Sequence, residues 1–388
     1  VSNVYAAWQH TKDPDDNPEG GRLAVVKIWF LTRAGRGHVN EQRVRDQLQF
    51  LVETSRAWNR EAARFLKHDV GARHILVAGS NFVPADRVTM DDALRLLTWR
   101  DMDIIENNHY FTDGGKSAQE GWRADAGGFM GMRSAVLHPL GLPTNKRQTE
   151  GKPFMCTEIL WPRPHPFEVE GPLLVAAYQQ LAGADGMAWA GPRDITWERR
   201  DAVYYTFWRV EGSMPMRPFS CAGPSTLGQF PAAAAMLRLG LLKPGPVVVR
   251  ETRTEEEIIA GAPPVIAEEF AYDPTQFARG AAQDTLVAGG VPKEAFLIGR
   301  VTVRLADAPA PAQVMDMRPF IGGGIVTSAT KELVMDTRRG LFTINAPAAQ
   351  GAVGFLRDAG VIRLLNVRIR SSALHGTVAV VALDAKPL

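Results

Sequence analysis

The sequence predicts an α/β fold followed by an all-β region, and three observations predict it. Short apolar runs alternate with amphipathic stretches from residue 23 to 242, the spacing of strand–helix–strand units that build a parallel sheet with right-handed crossovers. After Lys243 the runs turn short and β-rich, separated by Gly, Pro, Asp and Asn, which is the pattern of an antiparallel sandwich. The change divides the chain into a first domain, 1–243, and a second, 244–388. Within the first, residues 151–190 read as a buried strand ending in Glu158, a helix, and a second buried strand ending at Trp189. This is one β/α repeat with a carboxylate at the strand's carboxyl end, where barrels of such repeats carry their chemistry.

The elements follow in order. Residues 1–22 contain KDPDDNPEGG and read as a surface loop, and LAVVKIWFL at 23–31 suits a buried strand or a helix start. From 43 to 70, Leu48, Leu51, Val52, Trp58, Ala62, Phe65 and Leu66 recur at helical spacings, which predicts a long amphipathic helix. Asn40 before it suits an N-cap, and Glu41 favours the positive helix end. HILVAG, 74–79, is a short strand leading to Asn81; Thr89, with Asp92 three residues on, begins another helix. MDIIENNHYF, 102–111, is the next strand, ending in His109 and Tyr110, with Asp103 and Glu106 alternating as buried polar pairs. FMCTE and GMAWA continue the series and an apolar helix at 227–242 closes it, giving four consecutive β/α units. Glu168 and Glu170 read as charges at a helix start. Beyond 243, the runs PGPVVVRET, FLIGRVTVRL, ELVMDTRRGLFTIN, GVIRLLNVRI and TVAVVALD are strands, and the glycines at 322–324 form a turn.

Composition narrows the function. Among 388 residues, 44 basic side chains face 42 acidic ones, so there is no electrostatic footprint for nucleic acid or an anionic membrane. No apolar run approaches the roughly 18 residues of a membrane span. The start VSNVYAAWQH lacks a signal peptide's basic and apolar segments and an initiator Met, so the chain reads as a processed product or a fragment. Two cysteines, Cys156 and Cys221, are too few for a disulfide scaffold or a zinc site, and Cys156 reads as a small buried thiol. No HxH or HExxH spacing suggests a metal, and no motif suggests a cofactor.

The segments FLVETSRAWNREAARFLKHDVGARHILVAGSN, DMDIIENNHYF, KPFMCTEILWPRPHPFEVEGPLLVAAYQQLAGADGMAWA and LGQFPAAAAMLRLG together resemble the second half of clan A glycoside hydrolases. The nearest likeness is to large bacterial glycosidase-like proteins with a C-terminal sandwich, whose accessory β-domain TSATKELVMDTRRGLFTINAPAAQGAVGFL also resembles. The resemblance implies strands five to eight of a TIM (β/α)8 barrel plus a C-terminal antiparallel β-sandwich. It implies retaining cleavage of a β-glycosidic bond in an oligo- or polysaccharide, with Glu158 as nucleophile and Tyr110 as the residue that hydrogen-bonds it. Asn81 and His109 would line the sugar site, Trp161 and Trp189 would offer flat faces to a pyranose, and His165 and Arg163 would reach its hydroxyls. A secreted or periplasmic location goes with the same family.

The acid/base Glu of that clan lies in an Asn-Glu pair ending the fourth strand, upstream of the segment resembled here. A companion chain supplying strands one to four, or a homo-oligomer, would complete the barrel. A non-catalytic carbohydrate-binding or assembly subunit is the alternative reading. A third makes Asn40-Glu41 the acid/base pair, but Gly35 and Gly37 separate it from the apolar run that ends at Leu31, which favours the cap.

Overall fold

The computed structural model describes residues 6–9, 13–25, 39–74, 93–111, 115–116, 123–124, 129–130, 132–163, 165–191, 203–204, 221, 223–268 and 290–388. Helix α1, Glu41–Arg64, begins where Asn40 accepts hydrogen bonds from the backbone N–H groups of Gln42 and Arg43, so the Asn-Glu pair is a helix start. Such a cap contributes about 1 kcal/mol. The helix continues into a π-helical turn over Phe65–Asp69. Its buried stripe is Val44, Leu48 and Val52, packed against Leu96, Leu97, Ile258 and Val303. Trp58 and Phe65, placed on that stripe by spacing, are instead 69% and 51% exposed. The inner face carries on through Asn59, whose amide donates to the Thr98 carbonyl at 3.1 Å, and Ala63, which packs against the cluster of Trp99 and Met102. At the other end, Arg43 is fully buried, pairs with both oxygens of Asp16 and stacks over Trp8, tying the expected surface loop to α1.

Strands β1 (Ile105–Tyr110), β2 (Phe154–Leu160) and β3 (Gly186–Trp189) form a parallel sheet in that order. Helix α2, Gly171–Ala182, makes the crossover from β2 to β3. Every residue of α2 except Gln180 is buried, which is the pattern of a helix covered on all sides. Pro172 opens it and Gly183, at φ 66°, ends it in the left-handed conformation. Between β1 and β2 the described residues hold a 3₁₀ turn at Pro139–Gly141 and short strand pairs but no α-helix, a departure from strict alternation. The expected strands at 23–31 and 74–79 and the start of the helix at 89 lie almost wholly outside the described residues; Ala93–Thr98 is π-helical. The apolar helix expected at 227–242 is α3, Phe230–Leu239, preceded by a single turn at Pro224–Leu227.

After Lys243 the first two strands correct the expectation. β4 (Val247–Arg253) and β5 (Arg300–Leu305) pair in parallel, and Gln148–Thr149 joins β5 in parallel from the first half of the chain. The connection from β4 to β5 contains helical turns at Glu255–Ile259 and Ala295–Ile298 and returns to the same end of the sheet, as a parallel pair requires. The antiparallel pattern holds from 321 to 381. There β6 (Ile321–Gly322), β7 (Ile325–Thr327), β8 (Leu333–Asp336), β9 (Leu341–Ala346), β10 (Ala349–Gly354) and β11 (Gly376–Val381) form a six-stranded sheet in sequence order. Gly323 and Gly324, both at positive φ, make the two-residue turn between β6 and β7.

One core crosses residue 243. It runs from Phe111, Ile159 and Trp161 through α2 to Phe296, Met335, Phe342 and Val353, with Tyr178 and Phe342 at 5.3 Å between ring centroids. A polar tie reinforces it. Glu170, wholly buried at the start of α2, accepts from Ser134 Oγ at 2.7 Å, from the Ala135 N–H, and from His375 Nε2 at 2.7 Å. Glu168 and Glu170 do stand at the helix start, and both are engaged there: Glu168 is held by Arg163 and Ser225, and Glu170 joins three segments.

Gly354, at φ 124°, ends β10 with no room for a side chain, since a Cβ there would lie 2.0 Å from the Gly340 carbonyl oxygen. Gly354→Ala is expected to lower stability by roughly 2–4 kcal/mol, read as the loss in urea midpoint at unchanged slope; a loss below about 0.5 kcal/mol would contradict this contact.

Candidate functional site

The candidate site follows from one extra residue in β2. Alternation along FMCTEILW with period two would put residues 154, 156, 158 and 160 on one face, and Glu158 with the core. The structure breaks the phase. Asn107 pairs with Cys156 but Asn108 pairs with Glu158, and on the other side Met187 pairs with Cys156 but Trp189 with Ile159, so β2 carries a bulge against both neighbours. Phe154, Cys156, Ile159 and Trp161 then point into the packed core, while Met155, Glu158 and Leu160 take the opposite face.

On that face Glu158 is half-buried, and Asn108 Nδ2 donates to its Oε2 at 3.0 Å. Thr157 Oγ1 lies 3.0 Å from Asn108 Oδ1 and also contacts Glu106 Oε2 at hydrogen-bond distance. Glu106 is 1% exposed. Tyr110 follows one pleat beyond Asn108, packed with Leu160 and Cys221. The side chain bonding Glu158 in the structure is thus Asn108, a residue the sequence reading passed over. Its signal was the polar trio Glu106-Asn107-Asn108 inside an otherwise apolar strand, together with a Thr at the break in alternation.

The other expected residues divide. His109 projects to the core face, wholly buried, with Nε2 3.0 Å from the Gly141 carbonyl, and so does not share the face of Glu158. Trp161 is 1% exposed and stacks on Phe111 (5.0 Å between centroids, planes 25° apart) and on Trp189 (5.8 Å, 17°). Gly171 allows this, since a Cβ there would come within 2.8 Å of Trp189 and 2.9 Å of Trp161. Trp161 is therefore a core aromatic rather than a sugar platform, and Trp189, half-buried, leans on it and on Phe230. Arg163 is buried and forks onto Glu168. Asn81 lies outside the described residues. Glu41 is exposed in the first turn of α1, far from the role of an acid/base at a strand end.

His165 is 5% exposed, its Nδ1 accepts from the Phe167 N–H at 3.2 Å, and burial pushes its imidazole down to about 4. It is neutral in the folded chain at neutral pH. Cys156 is equally inert: burial pushes its thiol up to about 12, Lys146 pulls the other way, and Glu106 and Glu158 add to the rise. Both cysteines are free and buried. Among the described residues no group of three or more His, Cys, Asp or Glu gathers to hold a metal ion, and no helix is long and apolar enough to cross a membrane. Comparison with models of known families, with curated proteins and with solved structures finds no match to this chain.

The depressed His165 has a consequence for stability. Between pH 6.5 and 4 the unfolded chain takes a proton there that the folded chain refuses, so stability falls as pH falls through that window. The expected loss is up to about 3 kcal/mol. Urea melts at stepped pH should show it in the wild-type chain and a flatter profile in His165→Leu; equal slopes in both would contradict the assignment.

Proposed function

We infer that this chain is the Glu158-bearing part of a retaining β-glycosidase acting on an oligo- or polysaccharide. The observation that carries the reading is the half-exposed carboxylate near the carboxyl end of a parallel strand, turned out of the core by a bulge and held by an amide from the neighbouring strand. Three parallel strands in sequence order, with a helix crossing from the second to the third, support their assignment as strands six to eight of a (β/α)8 barrel. The six-stranded antiparallel sheet supports an accessory β-domain that shares its core and braces it.

In the proposed reaction a Glu158 oxygen attacks the anomeric carbon as the glycosidic C–O bond breaks. An acid delivers a proton to the departing oxygen. Water, deprotonated by that same group, then displaces Glu158 and restores the carboxylate, with net retention at the anomeric centre. Asn108, donating to Glu158 Oε2, leaves the other oxygen to attack. The acid/base is supplied from outside the described residues, by a companion chain or a second copy that completes the barrel.

One observation favours the second reading, a non-catalytic carbohydrate-binding subunit. The other carboxylate on this face, Glu106, is buried behind Thr157 and in no position to protonate a leaving group.

Turnover of aryl β-glycosides with NMR of the first-formed sugar separates the two. The enzyme reading expects the β-anomer first and a rate at least about 10³-fold lower in Glu158→Gln, with unchanged thermal melting. Glycan binding without turnover supports the second reading, and full activity in Glu158→Gln rules out the nucleophile.

A further inference from the structure

The near-balance of charge over the whole chain hides a local excess. Residues 337–383 hold six arginines against a single acid, Asp358, which Arg357 already engages. Three of the six stand together on a two-stranded hairpin, Ile362–Arg363 with Arg368–Ile369. Ile362 and Ile369 pair on its inner face and pack on Leu341 and Ala352 of the six-stranded sheet. Arg363 and Arg368 pair on its outer face, both exposed, and Arg370, also exposed, follows two residues along on the same side. None of the three guanidinium groups has an ion pair or hydrogen bond among the described residues. Side chains directly opposite one another in an antiparallel pair have Cβ atoms about 4.5–5.5 Å apart, and like charges so placed repel. No acid of the described residues offsets that repulsion, whereas an anion laid across the pair would. The platform beneath is fixed: at its turn the Leu365 N–H donates to Asn345 Oδ1, and the N–H groups of Asn366 and Val367 both donate to Oε1 of the buried Gln350.

We propose that the outer face of this hairpin binds an anionic polysaccharide, with Arg363, Arg368 and Arg370 donating to its carboxylate or sulfate groups. This rests on the reading of the chain as one that cleaves or holds a glycan, and narrows that glycan to a charged one. The planar guanidinium presents paired donors that match the oxygens of either group, and the cluster is built from arginine without lysine. Residues 356–388 contain no Phe, Tyr or Trp, so the hairpin offers no aromatic face on which a neutral pyranose or a nucleic-acid base could stack. Ionic contact is what remains. A membrane surface fits less well, because interfacial binding needs a continuous apolar face. The apolar face of the hairpin is spent on the sheet, and within 362–370 the one strongly exposed large apolar side chain is Leu365, at 60%.

The test is equilibrium binding to the full chain. Labelled oligogalacturonate, which carries carboxylates, and dextran sulfate, which carries sulfates, are titrated beside neutral dextran, an oligothymidylate and phosphatidylserine vesicles. At least one anionic glycan should bind, more weakly as salt rises, and which of the two binds identifies the group recognised. Replacing Arg363, Arg368 and Arg370 together by Gln should weaken that binding at least about tenfold. A control that loses the same charge at Arg60, Arg64 and Arg318, exposed elsewhere on the chain, should stay within about twofold of wild type. Arg363→Gln and Arg368→Gln, each alone, should weaken binding while melting no lower than wild type, because each relieves the like-charge pair. No binding of either anionic glycan, equal losses in the hairpin and control variants, or equal or tighter binding of neutral dextran, oligothymidylate or vesicles overturns the proposal. No turnover enters the measurement. Anionic-glycan binding by a chain that cleaves nothing therefore sinks only the catalytic reading, and a chain that carries a glycosyl ester on Glu158 yet ignores both anionic glycans sinks only this one.

Discussion

A single additional residue in β2 governs the chemistry available to this molecule. With strict alternation, Glu158 would pair beside His109 and enter the packed face among Ile159, Trp161 and α2, where an ionised carboxylate costs several kcal/mol unless paired. The bulge at Thr157 moves the carboxylate to the opposite face, aligns it with Asn108, and leaves the Thr157 hydroxyl between Asn108 and Glu106. It also returns Ile159 and Trp161 to the core, so the strand meets its packing requirement and its polar requirement together. Bulges commonly re-aim a side chain beside a functional site, and this one reaches both neighbouring strands.

What holds that strand in place lies largely behind it. Trp161, at its end, is clamped by Phe111 and Trp189 beneath the glycine that opens α2. Helix α2 is in turn enclosed by the first sheet, α3 and the C-terminal sheet, where Tyr178 meets Phe342. Glu170 fastens the same corner. A carboxylate with no exposure is tolerated because a hydroxyl, a backbone N–H and an imidazole all donate to it, and His375, edge-on to Phe167 and Phe355, brings the last strand to the helix start. The C-terminal sheet is therefore part of the scaffold of the site, through shared core and this tie.

Much of this was readable from the residues. Helix α2 was legible because a twelve-residue apolar run opened by Pro and closed by Gly is too long for a strand, and α1 was legible from its cap and periodicity. Which stripe of α1 is inward was not, since Asn59 substitutes a hydrogen bond to Thr98 for the packing that Trp58 advertised. The parallel pairing of β4 with β5 was hidden because pairing direction depends on a long connection, whereas the hairpins after 321 are set by local turns. Glu158 was singled out as a strand-end carboxylate. Its partner was not, because recognising Asn108 required knowing the register across the bulge, and Glu170 gave no hint of a histidine 205 residues away. The resemblance implied sugar contacts at Trp161 and His165, and the structure buries both, since aromatic and imidazole rings serve packing or recognition equally and burial is not legible in the sequence.

The central claim is that Glu158 is a nucleophile, and covalent trapping tests it most directly. Incubating the chain with 2-deoxy-2-fluoroglycosyl fluorides of several sugars, whose fluoride leaves without help from an acid, bypasses the need for a second carboxylate. Intact mass followed by peptide mapping should find one fluoroglycosyl ester, on Glu158, and none in Glu158→Gln. A label on another residue, or no label from any sugar in the panel, would contradict the account.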